Sequence, residues 1–214
     1  MEPSAERDES TVAPRQISIR NPHRIAAVLL AAGESSRMGR PKALLPYGAS
    51  TFSRLLIQTF HRAGFSRPTV VVGHDPGPLV AHLCDLGVRF VCNRRWPLGQ
   101  MSSLQAAIRS CPPGTDGILV ALADQPGLRP STIRRVIAAH RKNPRDILIA
   151  SVRGRSGHPV FFPKGFFRDL LAAPIQHGAR WVIQKNPAAR RVVATSDPAV
   201  VRDIDTPAEF RKLK

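Results

Sequence analysis

Residues 29–47, LLAAGESSRMGRPKALLPY, decide how the rest of the chain is read. An apolar run beginning at Ile25 enters the stretch and meets Gly33, and a polar loop then carries Arg37 and Lys42 before apolar residues resume. A glycine lets the backbone turn tightly with its N–H groups exposed, and such groups bind anions. Arg37 adds a forked cation and Lys42 a point charge, a combination suited to a triphosphate. Two common phosphate motifs do not fit. A P-loop requires G-x-x-x-x-G-K-[ST], whereas here five residues separate Gly33 from Gly39 and the lysine comes three after Gly39. A dinucleotide fingerprint requires G-x-G-x-x-G, and Glu34 stands directly after Gly33.

The chain around this loop has 214 residues, enough for one domain with a complete core. Its longest apolar run, residues 25–32, is far short of a membrane span. Residues 1–10 are acidic with no apolar segment behind them, so no secretory signal is expected. Cys84, Cys92 and Cys111 form no C-x-x-C pair and read as reduced thiols of a cytoplasmic protein. The formal charge is +17. Residues 1–23 hold four acids and three arginines, a balance of −1, which leaves +18 on the remainder. Such a body attracts polyanions. Its basic pairs (Arg94/Arg95, Arg134/Arg135, Arg190/Arg191) are dispersed and aromatics are 6%, which argues against a dedicated nucleic-acid groove.

Taken in order, residues 1–23 lack hydrophobic period and are expected to be a disordered leader, with a single domain over 24–214. A strand over 25–31 feeds the glycine loop. Phe52, Leu55, Leu56 and Phe60 then fall at helical spacing behind Ser50 or Thr51 as N-cap. Strands over 69–72 and 88–92 flank a helix that Asp75 caps and Pro76 opens, ending near Gly87. Residues 99–110 put Met101, Leu104 and Ile108 on one helical face. Residues 118–123 are apolar throughout, as a strand covered on both faces is. A helix bearing Ile133, Val136, Ile137 and His140 follows, then strands over 147–152 and 159–162 and short helices over 166–171 and 179–183. Two closing strands, 191–194 and 200–204, precede a helix opened by Thr206, Pro207 and Glu209 as a capping box. This alternation predicts an α/β fold, a mainly parallel twisted sheet with helices on both faces in three layers. Ligands of such sheets sit beyond the carboxyl ends of the strands.

Two carboxylates fall there. Asp124 follows the apolar strand in LADQP, where it suits either a Mg²⁺ site or a loop N–H. Asp205 ends the last predicted strand, where it or Thr206 can also cap the final helix. Each has a plain structural reading, but both terminate strands of one sheet and so can converge on one metal.

The loop also resembles the nucleotidyltransferase signature L-A-[AG]-G-x-S-x-R-M-G-x-x-K, matched here by Leu30, Ala31, Ala32, Gly33, Ser35, Arg37, Met38, Gly39 and Lys42. Further along, Asn93-x-x-Trp96-x-x-Gly99-x-x-Ser102-Ser103-Leu104, LADQP at 122–126, GHPV at 157–160 and DIDTP at 203–207 follow in the order seen in molybdenum-cofactor nucleotidyltransferases. The cytidylyltransferase branch is the most similar. The resemblance runs from about Ile25 to Leu213. It implies a nucleotide-diphospho-sugar-transferase-like fold and a cytoplasmic, Mg²⁺-dependent enzyme that moves NMP from an NTP onto a molybdopterin-type cofactor, releasing pyrophosphate. Ala31, Ala32 and Gly33 would then face base and ribose, Arg37 and Lys42 the phosphates, and Asp124 and Asp205 the magnesium. Gly99, Ser102 and Ser103 would line the nucleotide pocket, and His158 would border the pterin site. Alanine at 32, where the guanylyl branch has a second glycine, points to CTP over GTP. In Gln176-His177-Gly178-Ala179-Arg180 the family more often has an acidic residue before the glycine, which leaves the contacts to the second substrate open.

A phosphate monoester is already ionised near neutral pH, so such a reaction needs no general base or covalent nucleophile. His74, His140 and His177 are therefore expected to be structural, and Trp96 a hydrophobic anchor. Transfer to a sugar phosphate, use of GTP, and a non-catalytic polyanion or nucleic-acid binder are the alternatives. Handover of the product to a molybdoenzyme is compatible with any catalytic version.

Overall fold

A computed structural model describes residues 24–213. The expected leader over 1–23 lies outside the described residues, and with it the predicted domain boundary. The elements run β1 (Ile25–Leu30), β2 (Pro46–Tyr47), β3 (Ser50–Thr51), α1 (Phe52–Arg62), β4 (Thr69–Val72), α2 (Pro76–Leu83), β5 (Arg89–Cys92), α3 (Gln100–Arg109) and β6 (Gly117–Leu122). They continue with α4 (Pro130–Lys142), β7 (Ile147–Val152), β8 (Arg155–Pro163), α5 (Phe167–Ala172), α6 (Gly178–Lys185), β9 (Arg190–Thr195) and α7 (Pro207–Arg211). Seven strands form one sheet in the order β5-β4-β1-β6-β8-β7-β9, and β2 pairs with β3 in a separate ribbon. All neighbours in the main sheet are parallel except those of β8, which runs against both β6 and β7.

Alternation along each strand divides two cores. Ala27 and Leu29 of β1 face one layer with Leu56 and Phe60 of α1, Leu83 of α2 and Val136 of α4. Val28 and Leu30 face the other with Met101 and Leu104 of α3, Leu170 of α5 and Val182 of α6. A third, smaller cluster joins Leu45, Phe52, Ile204 and Phe210, and it fastens α7 to the segment after the glycine loop. No described helix is long and apolar enough to cross a membrane.

Helix starts follow the sequence in part. Thr51 caps α1 by accepting from the Arg54 N–H, and Thr206 with Glu209 forms the expected capping box of α7. Asp75, expected to cap α2, sits at the N-cap position with φ 36° and no side-chain cap. Its carboxylate instead borders a cavity described below.

The strand predicted over 200–204 is a correction. Pro198–Val201 is a 3-10 turn, and residues 202–205 run extended without joining the sheet. Asp197 draws the chain into that turn, since its side chain accepts from the N–H groups of Ala199 and Arg129 and from the Thr132 hydroxyl. A second difference is the reversed strand β8. Arg153 and Gly154 both take positive φ (49° and 77°) and close a two-residue hairpin, the geometry of a type I′ turn. Asp205 thus reaches the sheet edge from a packed extended segment.

The 3-10 turn Pro198–Val201 leaves no room behind Gly157 at the start of β8. A Cβ there would lie 1.8 Å from the Val200 carbonyl oxygen and 2.7 Å from its carbon. Gly157→Ala is expected to lower stability by about 3 kcal/mol, read by urea unfolding, because the clash is with backbone.

Candidate active site

Strand β1 delivers the glycine loop to the sheet's carboxyl edge. The Ala31 N–H donates to Val71 O (3.0 Å) and Ala32 O accepts from the His74 N–H (3.1 Å), so the chain is held past the end of the strand. Gly33 is not the turning point. The left-handed residues are Ser35 (φ 59°) and Gly39 (φ 66°), on either side of the 3-10 turn Ser36–Met38. A Cβ at Gly33 would meet nothing within 4 Å, so its glycine keeps open the space in front of the loop. Ser35 Oγ accepts from the Lys42 N–H (3.0 Å), which returns the chain to the same edge. The side chain of Arg37 lies outside the described residues.

Lys42 then points inward, with its side chain 14% exposed. Its Nζ is ion-paired with Asp205 Oδ1 and lies 3.8 Å from Asp124 Oδ2. The two acids meet because their segments are bonded to one another: the Ile204 N–H donates to Asp124 O (2.9 Å). Buried Gln125 donates from Nε2 to Val200 O (3.3 Å) and to Asp203 Oδ1 (2.7 Å), which adds a third carboxylate at this edge. Asp203 belongs to the DIDTP match but is not among the residues expected at the site. From the other side Glu209 accepts the N–H groups of Asp205 and Thr206, so the helix cap also fixes the Asp205 backbone.

A cavity of about 310 Å³ opens between these groups and the starts of α2 and α3. Ala31, Ala32, Gly33, Lys42, Gly99, Ser103 and Asp124 all line it. Trp96 and His74, an edge-on pair 4.9 Å between ring centroids, form another wall. Gly73 lets that wall close, since a Cβ there would lie 2.6 Å from both Ala32 O and Trp96 Cβ. Ser102 is not a lining residue. It is buried, its Oγ accepts from Asn93 Nδ2 (2.8 Å), and its hydroxyl reaches Arg95 O (2.8 Å) and Gly99 O (2.7 Å). Asn93 also donates to Ser103 (3.0 Å), so this buried amide, quoted within a motif but given no role, sets the start of α3.

His158 faces a second cavity, of about 460 Å³, on the face of the sheet between α3 and α6. Leu30 and Gln100 line both cavities and so mark where they adjoin. Burial lowers the His158 imidazole to about 4, although Asp203 pulls it upward, so the ring is neutral at physiological pH.

The residues present fit a hard divalent cation. Asp124 Oδ1 is shielded from solvent and accepts no hydrogen bond, and Asp205 brings a second carboxylate to the same ammonium. Among the described residues no group of three or more His, Cys, Asp or Glu forms a metal cage. Two carboxylates with water and phosphate completing the shell is how Mg²⁺ is usually held.

Desolvation, with Asp203 and Asp205 adding to it against the pull of Lys42, raises Asp124 from 3.8 to about 6. Folding therefore favours the protonated acid. The contribution of this group to stability is fully present below about pH 4 and is lost as pH rises through about 6, a cost of about 3 kcal/mol. Asp124→Asn is expected to stabilise the ligand-free protein by about 1 to 2 kcal/mol at pH 8 and to leave it unchanged at pH 4, as measured by thermal unfolding. Mn²⁺ affinity, followed by titration calorimetry, is expected to fall up to about tenfold for each pH unit below 6 as the proton competes.

The pattern of the MobA-like NTP transferase domain matches residues 27–192. Nicotine blue oxidoreductase of Paenarthrobacter nicotinovorans is 32% identical over 199 residues, 88% of this chain and 96% of its own length. The purine catabolism protein PucB of Bacillus subtilis (strain 168) is 28% identical over 209 residues, 92% and 98% of the two chains. The crystal structure of Rv0371c from Mycobacterium tuberculosis H37Rv superposes with a TM-score of 0.79 at 29% identity, over 89% of this chain and 97% of that one. Its complex with manganese gives 0.72 at 29% identity, over 88% and 97%. With the pattern spanning most of the chain, the protein belongs to the MobA-like NTP transferase family.

Proposed function

We propose that this protein is a divalent-metal-dependent nucleotidyltransferase that moves CMP from CTP onto the phosphate of a molybdopterin-type cofactor and releases pyrophosphate. The observation that carries the reading is Lys42 held between Asp124 and Asp205 beside a cavity that Gly33 leaves open. An oxygen of the acceptor phosphate attacks the α-phosphorus, a P–O bond forms, and the bond to the β-phosphate breaks with its electron pair leaving on pyrophosphate. The acceptor oxygen is already an anion, so the protein's task is alignment and charge neutralisation.

Ala31, Ala32 and Gly33 would hold base and ribose, and Gly99 and Ser103 the opposite wall. Ser102 acts as a positioning residue, through Asn93 and the turn before α3. Lys42, within reach of both carboxylates and cavity, would neutralise phosphate charge together with Arg37. Asp124 and Asp205 would hold Mg²⁺ or Mn²⁺, which supplies charge neutralisation and orientation of the triphosphate. The acceptor would occupy the second cavity, beside the first, where His158 lies.

The choice of CTP rests on the methyl group of Ala32, and the choice of acceptor on the resemblance at the GHPV and DIDTP segments. A second reading, a reductase of a heterocyclic compound, has one observation in its favour, the name of the 32%-identical relative.

Pyrophosphate release from CTP, GTP and UTP with molybdopterin or a sugar phosphate, beside NAD(P)H oxidation with a heterocyclic dye, separates these readings. CTP with molybdopterin is expected to be the fastest pair. Asp124→Asn is expected to slow it at least about 100-fold, on the order of 3 kcal/mol of transition-state stabilisation, with the fold intact. Full activity in that variant would remove Asp124 from the site. Mg²⁺-independent, salt-sensitive binding of an oligonucleotide without NTP binding would instead favour a polyanion binder.

A further inference from the structure

The second cavity has a chemistry opposite to the first. Asp124, Asp75 and Glu34 line the first, but no Asp or Glu lines the second. The floor of the second is apolar, built by Val120, Ile149, Val160 and Phe162 of the sheet. Its charges are Arg180 of α6 and Arg190 of β9.

Among the described residues neither guanidinium makes a hydrogen bond or ion pair. Several other arginines are held by protein groups, whereas these two face a cavity. Arg54 is bidentate to Asp85, and Arg89 donates to Ser110 O and the Thr69 hydroxyl. The contrast is sharpest within β9, where successive side chains point to opposite faces. Arg191 pairs with Asp146, while Arg190 lines the cavity with no partner. An unpaired guanidinium beside apolar surface is a ready fork for an anion.

Arg190 also lies far from the reacting end. It is level with Ile147 of β7, and β9 is four strands across from β1. At about 4.8 Å per strand its backbone is roughly 19 Å across the sheet from Leu30, where the cavities adjoin. Allowing for the reach of the side chain, a group held by this arginine would lie more than about 10 Å from any phosphate beside Asp124.

We propose that Arg180 and Arg190 form an anion-reading end of the acceptor cavity, so that the acceptor is a flat, largely apolar molecule with a negatively charged group remote from the phosphate that receives the nucleotide. This rests on the reading of the second cavity as the acceptor site. The two arginines are then specificity residues with no part in the chemistry.

Equilibrium binding without nucleotide or metal tests it apart from catalysis. Pterin-6-carboxylate and the neutral 6-hydroxymethylpterin, both fluorescent and of similar size, serve as probes. The carboxylate is expected to bind at least tenfold more tightly, with a preference that shrinks as salt is raised. Arg180→Gln and Arg190→Gln, each exposed and so expected to fold, should reduce the preference singly and abolish it together, whereas Arg191→Gln should leave it intact. Equal affinity of the two pterins, no binding of either, a preference that survives the double variant, or one abolished by Lys42→Gln would overturn the proposal. Failure of pyrophosphate release with every NTP would bear on the transferase reading alone, since this binding measurement needs no turnover.

Discussion

The Lys42 ammonium holds together a corner of the molecule where carboxylates would otherwise repel one another. Lys42 reaches Asp205 and Asp124, while Asp203 stands close enough to raise Asp124 further. Desolvation and the neighbouring Asp203 and Asp205 outweigh the pull of Lys42 on Asp124, which is withdrawn from the water that would screen it. The fold tolerates this because the surrounding layers are well packed, with Leu29, Leu119 and Ala121 fully or nearly fully buried beneath the site. A desolvated carboxylate at a sheet edge is a poor device for stability and a good one for attracting a divalent cation.

Bringing Lys42 and Asp205 together, 163 residues apart in the chain, depends on packing as much as on charge. Leu45, three residues after Lys42, and Ile204, one before Asp205, belong to the same buried cluster with Phe52 and Phe210. Phe52 opens α1 and stacks edge-on against Phe210 at 6.0 Å between centroids, so the start of α1 and the body of α7 clamp the two segments between them. The N–H groups of Asp205 and Thr206 go to Glu209, and that of Ile204 to Asp124. The ion pair is thus formed between backbones already fixed, which reduces the side-chain entropy that would otherwise offset it.

Much of this was legible in residue order because strand and helix differ in period. The doubly covered strands β1, β4, β6 and β7 read as short apolar runs, and α1, α3 and α4 as amphipathic stripes. Period carries no strand direction, however. The reversal of β8 hangs on Arg153 and Gly154, and arginine at a positive-φ turn position lacks the Asn-Gly or Asp-Gly signal that marks a hairpin. The spacing of Val200, Val201 and Ile204 imitates a strand, although these residues serve a 3-10 turn and the small third cluster. Asp203 escaped notice for the same reason, since what makes it part of the site is a hydrogen bond from Gln125, 78 positions away. Ser102 and Ser103 look equivalent in sequence, yet one helical step turns the first into the Asn93 network and the second toward the cavity as well.

The two cavities adjoin at Leu30 and Gln100, so one small domain holds opposite electrostatics a short distance apart. Carboxylates gather where loops after β6 and before α7 meet, at the carboxyl end of the parallel strands, and Lys42 is positioned against them. Arginines gather on α6 and β9, behind an apolar floor that carries no acid to neutralise them. Had β8 run parallel to its neighbours, its Gly157–His158 end would lie at the opposite edge of the sheet. The antiparallel insertion instead sets His158 and the mouth of the second cavity level with the end of β6. With a formal charge of +17 over the whole chain, the surrounding field favours approach of polyanions, and the local acids then distinguish an anion carried with a metal ion from one that is not. The reversed strand is therefore the topological feature that brings the second cavity beside the first.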